Sequence, residues 1–350
     1  MRGMVLALTL LVPAAALGGP PRYVILTSPA KRVEAVFTSD FTAPELKATE
    51  WVIVAARPPE LPGQTDVSVS AEPGAREDKE LSDLKRPILV WRIPANDDSL
   101  KTHVRVRVKT EATLLERRLV ERERALAAGV KPPKVTPLAE GERKLFLAPT
   151  PRLNHDAQDF QDWLKANKLR RGSKEADVDF ALRAFQVVRE KFTYRFPIGH
   201  DGKATSVCKA GKGDCGCMAT VFVCACRANG IPARELVGRW ADSAKGDDIK
   251  IHVKAEFYAE NVGWVPVDVT QGNGTPGKDG LTFFGNDPGD FLVMHLDGDL
   301  EVDTIHFGRV PAFRLQGVAR WATASGGNWD KSEAKEDWQV KTSPPPGRRK

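Results

Sequence analysis

Apolar and polar positions alternate through the first third of the chain. His103-Val-Arg-Val-Arg-Val-Lys109 alternates at every step, and Asp66-Val-Ser-Val-Ser70 does the same, as strands with one buried face do. Trp51-Val-Ile-Val-Ala-Ala56 is a short continuous apolar run, and Pro58-Pro59, Pro62-Gly63 and Pro73-Gly74 punctuate the segments around it. The pattern predicts a β-sandwich-like module over residues 23–109. Residues 111–128 are heavily charged, with Leu115, Leu119 and Leu126 at helical spacing. A helix and a continuation of the preceding strand both fit them. Residues 131–137, with three prolines, read as a linker.

The period then changes. Phe160, Trp163 and Leu164 mark a helix over residues 156–169, and Val178, Phe180, Ala181, Ala184, Phe185, Val188 and Phe192 mark another over 175–192. A Gly/Lys-rich loop over 199–212 leads into a strongly apolar helix, residues 215–228. Asn229-Gly230-Ile231-Pro232 stops that helix, with glycine at its end and proline just beyond. Strands are predicted over 235–240, 250–258 and 263–268. From about Ser325 the chain is polar and ends in Pro344-Pro-Pro-Gly-Arg-Arg-Lys350, which predicts a disordered tail.

Composition narrows the picture. A chain of 350 residues is long enough for two domains of roughly 100–200 residues each. With 41% hydrophobic and 28% charged residues it can build a packed core. Lys+Arg exceeds Asp+Glu by 52 to 46, a net +6 that is spread out apart from the final three residues, so no clustered basic face calls for nucleic acid. Met1-Arg2 precedes an apolar run from Met4 to Leu17, and Ala16-Leu17-Gly18 offers small residues at a cleavage site. This run, like every later one, is shorter than the roughly 20 apolar residues of a membrane span. The expected partition is a signal peptide at 1–18, a β-rich module with linker at 19–137, a catalytic domain at 138–324 and the polar tail at 325–350. The expected location is secreted or periplasmic, without stable membrane insertion.

The candidate chemistry lies in three segments. Gly213-Asp214-Cys215 puts a cysteine in the first turn of an apolar helix, where free N–H groups and the helix dipole favour an anionic sulfur and can hold an oxyanion. His252 lies mid-strand and Asp268 ends the next strand. If a turn around residues 261–263 makes these strands a hairpin, the two can meet. Nucleophile, base and orienting carboxylate are then Cys215, His252 and Asp268. Taken singly, each has a plainer reading: an inert buried cysteine, a structural strand histidine and a turn aspartate. Cys224 and Cys226 fit the inert reading well. Cys215-x-Cys217 and Cys224-x-Cys226 do not form a zinc site on a helix, because residues two apart diverge by about 200°. No metal and no cofactor are expected, and Asp287-Pro-Gly-Asp290 and Asp297-Gly-Asp299 read as plain turns rather than calcium loops.

These residues resemble a family. Gly213-Asp214-Cys215 with Ala219, Phe222, Arg227 and Gly230-Ile-Pro-Ala-Arg234 is similar to the nucleophile segment of the transglutaminase-like superfamily. His252, Glu256, Tyr258 and Gly263-Trp-Val-Pro-Val-Asp268-Val-Thr270 are similar to its histidine and aspartate segments. The resemblance implies an α+β, papain-like core with the nucleophile helix packed on an antiparallel sheet, and acyl transfer from an amide through a thioester. It also implies a protein or peptide substrate, in or outside the cell envelope. The sequence departs from the family where Lys254 replaces the usual tryptophan two residues after the histidine. No tryptophan lies between Trp163 and Cys215; Tyr194 is the one aromatic hydroxyl there. The departure weighs against crosslinking more than against hydrolysis. The alternatives are a transamidase and a non-catalytic envelope-binding module that kept the fold.

Five cysteines in an exported chain raise the question of disulfides. Cys217 and Cys224 share a helix face but stand about 10.5 Å apart along the axis, beyond the roughly 7 Å between Cα atoms that a bridge needs. Only Cys208, placed in the loop, has freedom to pair. At most one bridge is expected, Cys208 to Cys217, leaving Cys215 free.

Overall fold

A computed structural model describes residues 20–241, 251–271 and 280–345. Six strands open the chain: β1 (Tyr23–Thr42), β2 (Leu46–Ala56), β3 (Gln64–Glu72), β4 (Arg76–Lys79), β5 (Pro87–Pro94) and β6 (His103–Glu121). The short helices α1 (Arg122–Ala127) and α2 (Glu140–Leu145) follow. The second region then runs α3 (Gln158–Ala166), α4 (Asp177–Lys191), β7 (Thr193–Tyr194), α5 (Ala204–Ala210), β8 (Lys212–Gly213), α6 (Cys215–Arg227), β9 (Ala233–Trp240), β10 (Ile251–Ala259) and β11 (Gly263–Val267). Six further strands close the chain: β12 (Asn286–Asp287), β13 (Phe291–Leu296), β14 (Asp299–Asp303), β15 (Arg309–Phe313), β16 (Val318–Gly327) and β17 (Glu333–Ser343). Among the described residues no helix is long and apolar enough to cross a membrane. The expected signal peptide at 1–18 lies outside the described residues.

Alternation in β3 and much of β1 and β6, with continuous apolar runs in β2 and β5, builds the sandwich. β1 and β6 pair antiparallel from Tyr23↔Glu121 to Thr42↔His103, and β3 extends this sheet beyond β6. The second sheet has the order β16-β2-β5-β4. Phe41, Trp51, Ile53, Leu89, Trp91, Val104, Val106 and Val108 meet between the sheets. The indole N–H groups of Trp51 and Trp91 donate to the Leu100 and Pro73 carbonyls, each at 2.7 Å, so the largest core residues leave no polar group unmet. The charged stretch after Lys109 continues the strand to Glu121, with Thr110, Ala112 and Leu114 buried in turn.

Two expectations about the chain ends are corrected. The predicted disordered tail contains β17, which pairs β1 from Arg32↔Ser343 to Thr42↔Glu333. The segment is polar on one side only: Trp338 and Val340 pack against Val33, Ala35, Ala112 and Leu114, and the Trp338 indole donates to the Trp240 carbonyl at 3.0 Å. β16, assigned in sequence mostly to the catalytic part, pairs β2 in the sandwich instead.

The second core lies where α3, α4, α5 and α6 cover a sheet of order β11-β10-β9-β13. Helix α6 starts because the Asp214 carboxylate caps it, accepting the Cys217 N–H at 2.8 Å. It ends at Gly230, whose φ of 77° reverses the chain so that the Ile231 N–H reaches the Cys226 carbonyl at 3.0 Å. Phe222 packs on Phe257 of β10 at 6.2 Å between ring centroids. The loop expected over 199–212 contains α5, which holds Cys208 in the core beside α6. All five cysteines are free thiols, so the expected Cys208–Cys217 bridge is absent. A helix, not a free loop, fixes Cys208, and that removes the freedom on which the pairing depended.

One aspartate of each pair expected as a plain turn, Asp287 and Asp297, is a buried anchor as well. Asp297 binds Arg227 at 2.6 Å and the Glu235 N–H at 2.9 Å. Asp287 meets both Arg117 and Lys254 at 3.4 Å. Arg234 and Arg117 share Glu256 at 2.6 and 2.8 Å, and Arg314 meets Glu235 at 3.1 Å.

Candidate active site

Cys215 is the first residue of α6 and is half-buried, whereas Cys217, Cys224 and Cys226 are buried. The first-turn N–H groups have no carbonyl four residues back, which leaves donors beside the sulfur. Two glycines, one on either side of it, admit close neighbours. A Cβ on Gly213 would lie 2.3 Å from the Cys217 Cβ, and one on Gly216 would lie 1.8 Å from the Arg314 guanidinium. Tyr194 stands in register with Gly213 in the parallel β7–β8 pair, and the Arg195 N–H donates to the Gly213 carbonyl at 2.8 Å. Burial, then the nearby Cys215 and Asp214, push the half-exposed Tyr194 hydroxyl up to about 12.

The expected hairpin forms. Asn261 (φ 61°) and Gly263 (φ 97°) turn the chain, and β10 and β11 pair from Ala259↔Gly263 to Ala255↔Val267. Asp268 follows directly and accepts the His252 Nε2 bond at 2.8 Å. Its other oxygen accepts the Thr270 and Gln271 N–H groups at 3.2 and 3.1 Å, so the carboxylate cannot swing away. Burial would raise the Asp268 carboxyl, but the His252 charge and hydrogen bond outweigh it and hold the group at about 2. Burial likewise works against a charged His252, yet Asp268 and a hydrogen bond with the Cys215 thiol bring it to about 9. With Nε2 committed to Asp268, Nδ1 is the nitrogen left for the sulfur. Burial drives the Cys208, Cys217, Cys224 and Cys226 thiols up, so none of them is disposed to ionise.

Sequence reasoning missed the residues that surround this trio. Trp240 stacks on the His252 ring at 4.6 Å and 21°, and Phe291 meets the same ring edge-on at 5.9 Å and 88°. The Gln316 amide donates to the His252 and Gly238 carbonyls at 2.8 and 2.6 Å. Arg314 lies against Gly216 and bonds Thr220 at 3.0 Å. Each comes from a strand or loop distant in sequence, and none sits in a local pattern that would single it out.

Residues 165–269 match the family model described as the Transglutaminase-like superfamily. This segment is a transglutaminase-like domain. It spans α4 to β11 and so contains Cys215, His252 and Asp268. No curated protein matches the sequence. Among solved structures, this chain resembles a candidate cysteine protease from Cytophaga hutchinsonii at 14% identity and a TM-score of 0.54. That match covers 92% of this chain and 93% of the other, sandwich included, and shows a shared fold. The periplasmic domain of TgpA from Pseudomonas aeruginosa matches at 14% identity and a TM-score of 0.35, over 73% of this chain and 94% of that one.

Proposed function

We propose that this protein is an exported cysteine hydrolase that cleaves peptide or isopeptide amides through a thioester on Cys215. The observation that carries this reading is the buried His252–Asp268 bond at 2.8 Å, with the Cys215 thiol on the same imidazole. In the first half-reaction the Cys215 proton resides on His252, whose imidazolium Asp268 stabilises, and the sulfur attacks the amide carbon. The carbonyl oxygen becomes an oxyanion facing the N-terminus of α6, where the Cys217 N–H is already taken by the Asp214 cap. The imidazolium then protonates the leaving nitrogen, the C–N bond breaks and the thioester remains. In the second half-reaction His252 takes a proton from water, hydroxide attacks the thioester, and the acid and the Cys215 thiol are released. Asp268 holds the imidazole in one orientation throughout. A transamidase would admit an amine in place of water. The absence of a tryptophan between Trp163 and Cys215 weighs against an amine acceptor more than against water. Export rests on the basic start and apolar run of residues 1–17.

The test is mass spectrometry of peptide substrates incubated with the full chain, with and without an added primary amine. Free acid in both samples and an acyl adduct on Cys215 are expected, with neither from Cys215→Ala. Amine conjugates as the main product would replace hydrolysis by transamidation. Unchanged turnover in Cys215→Ala would sink the site.

A further inference from the structure

The site as described stops at three residues, but β10 carries a fourth that the chemistry above does not use. Lys254 lies two positions from His252 on the same side of the strand. It is 4% exposed, and its ammonium meets Asp290 at 3.2 Å and Asp287 at 3.4 Å. The same nitrogen lies 5.0 Å from the centroids of both Trp240 and Phe291. Those are the two rings that box the His252 imidazole, and they contact each other at 5.5 Å. Asp287 belongs to β12, which pairs β6 of the sandwich at Asp287↔Arg117, and Arg117 reaches on to Glu256 of β10. A buried ammonium is desolvated at a large cost unless it is paired and its geometry is fixed. Here it is paired, and its aromatic neighbours are the walls of the catalytic base.

We infer that Lys254 is a positioning residue: its ammonium, clamped by Asp287 and Asp290, holds Trp240 and Phe291 against His252 and ties the alignment of the base to the sandwich module. This rests on His252 serving Cys215 as proposed above. Displacing a base by about 1 Å costs roughly 10- to 100-fold in rate, while cation–π contacts alone are too weak to fix a fold.

The test needs no substrate: the rate of Cys215 alkylation by iodoacetamide, located by peptide mapping, from pH 5 to 9. The groups facing the imidazole and the ammonium are Cys215, Asp268, Asp287 and Asp290. Lys254→Met keeps the apolar stem and removes the charge. It should lower the rate at pH 6 at least tenfold and change the profile, while Lys254→Arg should restore most of it. If Lys254→Met does not fold by circular dichroism, Asp290→Asn decides instead, with a smaller loss in the same direction. A folded Lys254→Met or Asp290→Asn with the wild-type profile overturns the inference. His252→Ala run alongside separates the two readings. If it too leaves the profile unchanged, the base assignment fails; if it abolishes the acidic-range rate while Lys254→Met does not, only the Lys254 role fails.

Discussion

The interior between the sandwich sheets and the interior around α6 solve burial in different ways. The first is built from Trp51, Ile53, Trp91, Val104, Val106 and Val108, and its polar atoms are few and satisfied. The second, with its border strands, encloses Arg227–Asp297, Arg234–Glu256–Arg117, Lys254–Asp287 and Arg314–Glu235. Apolar burial is non-directional and stabilises in proportion to area, at roughly 25 cal/mol per Å². A buried ion pair is costly to desolvate and offsets that cost only in tight geometry, so it does more for orientation than for stability. The apolar cluster around α6, with Phe160, Phe180, Phe185, Phe222 and Phe257 fully buried, is itself extensive, so the two interiors differ in the ion pairs that border the second and not in a lack of apolar burial there.

The sharpest way to break this contrast is Asp268→Asn. It keeps the size but removes the charge that orients the imidazole, and turnover of the folded protein should fall by about 10⁴-fold. If the carboxylate only shapes the turn before Thr270, stability falls instead and the folded fraction keeps its turnover.

The complementary substitution is Trp91→Ala. It should cost about 3–5 kcal/mol in denaturant unfolding and leave Cys215 alkylation in the folded protein unchanged. A changed alkylation rate at full folding would mean that the sandwich core also steers the site.

The smallest effect is on pH dependence. His252 rises from 6.5 to about 9 on folding, so its contribution is fully present below pH 6.5 and is lost as pH rises through 9. Asp268 falls from 3.8 to about 2, so its contribution is present above pH 3.8 and is lost as pH falls through 2. The melting-temperature gap between wild type and His252→Gln should therefore be wide at pH 6 and narrow at pH 10. The gap for Trp91→Ala should stay flat over the same range. Equal behaviour of the two gaps would erase the distinction between the interiors.

What the sequence made legible follows from how local each signal is. Helix α6 carries its own cap at Asp214 and its own stop at Gly230, and the β10–β11 hairpin carries its turn at Asn261 to Gly263. The three candidate site residues sit on those self-punctuated elements, so they could be named in advance. Strand β17 was hidden because its charged side outweighs the alternation of Trp338 and Val340. The seven residues of α5 were hidden by the glycines and lysines around them. Trp240, Phe291, Arg314 and Gln316 acquire their roles only when distant strands converge. Asp287 and Asp297 look like turn residues locally, since turn formers and buried ion-pair partners share the same residue type.

The pairing of β1 with β17 also sets an order in time. Phe37 and Trp338 are register partners about 300 positions apart, and a ribosome makes the first long before the second. Throughout that interval the flank of β1 that β17 will occupy, eleven residues long in the finished sheet, offers unpaired backbone groups to any neighbouring chain. Contacts so remote in sequence also close slowly. A nascent chain halted before residue 333 would carry an open, sticky edge at its beginning, so its safekeeping until release falls to whatever escorts the growing polypeptide.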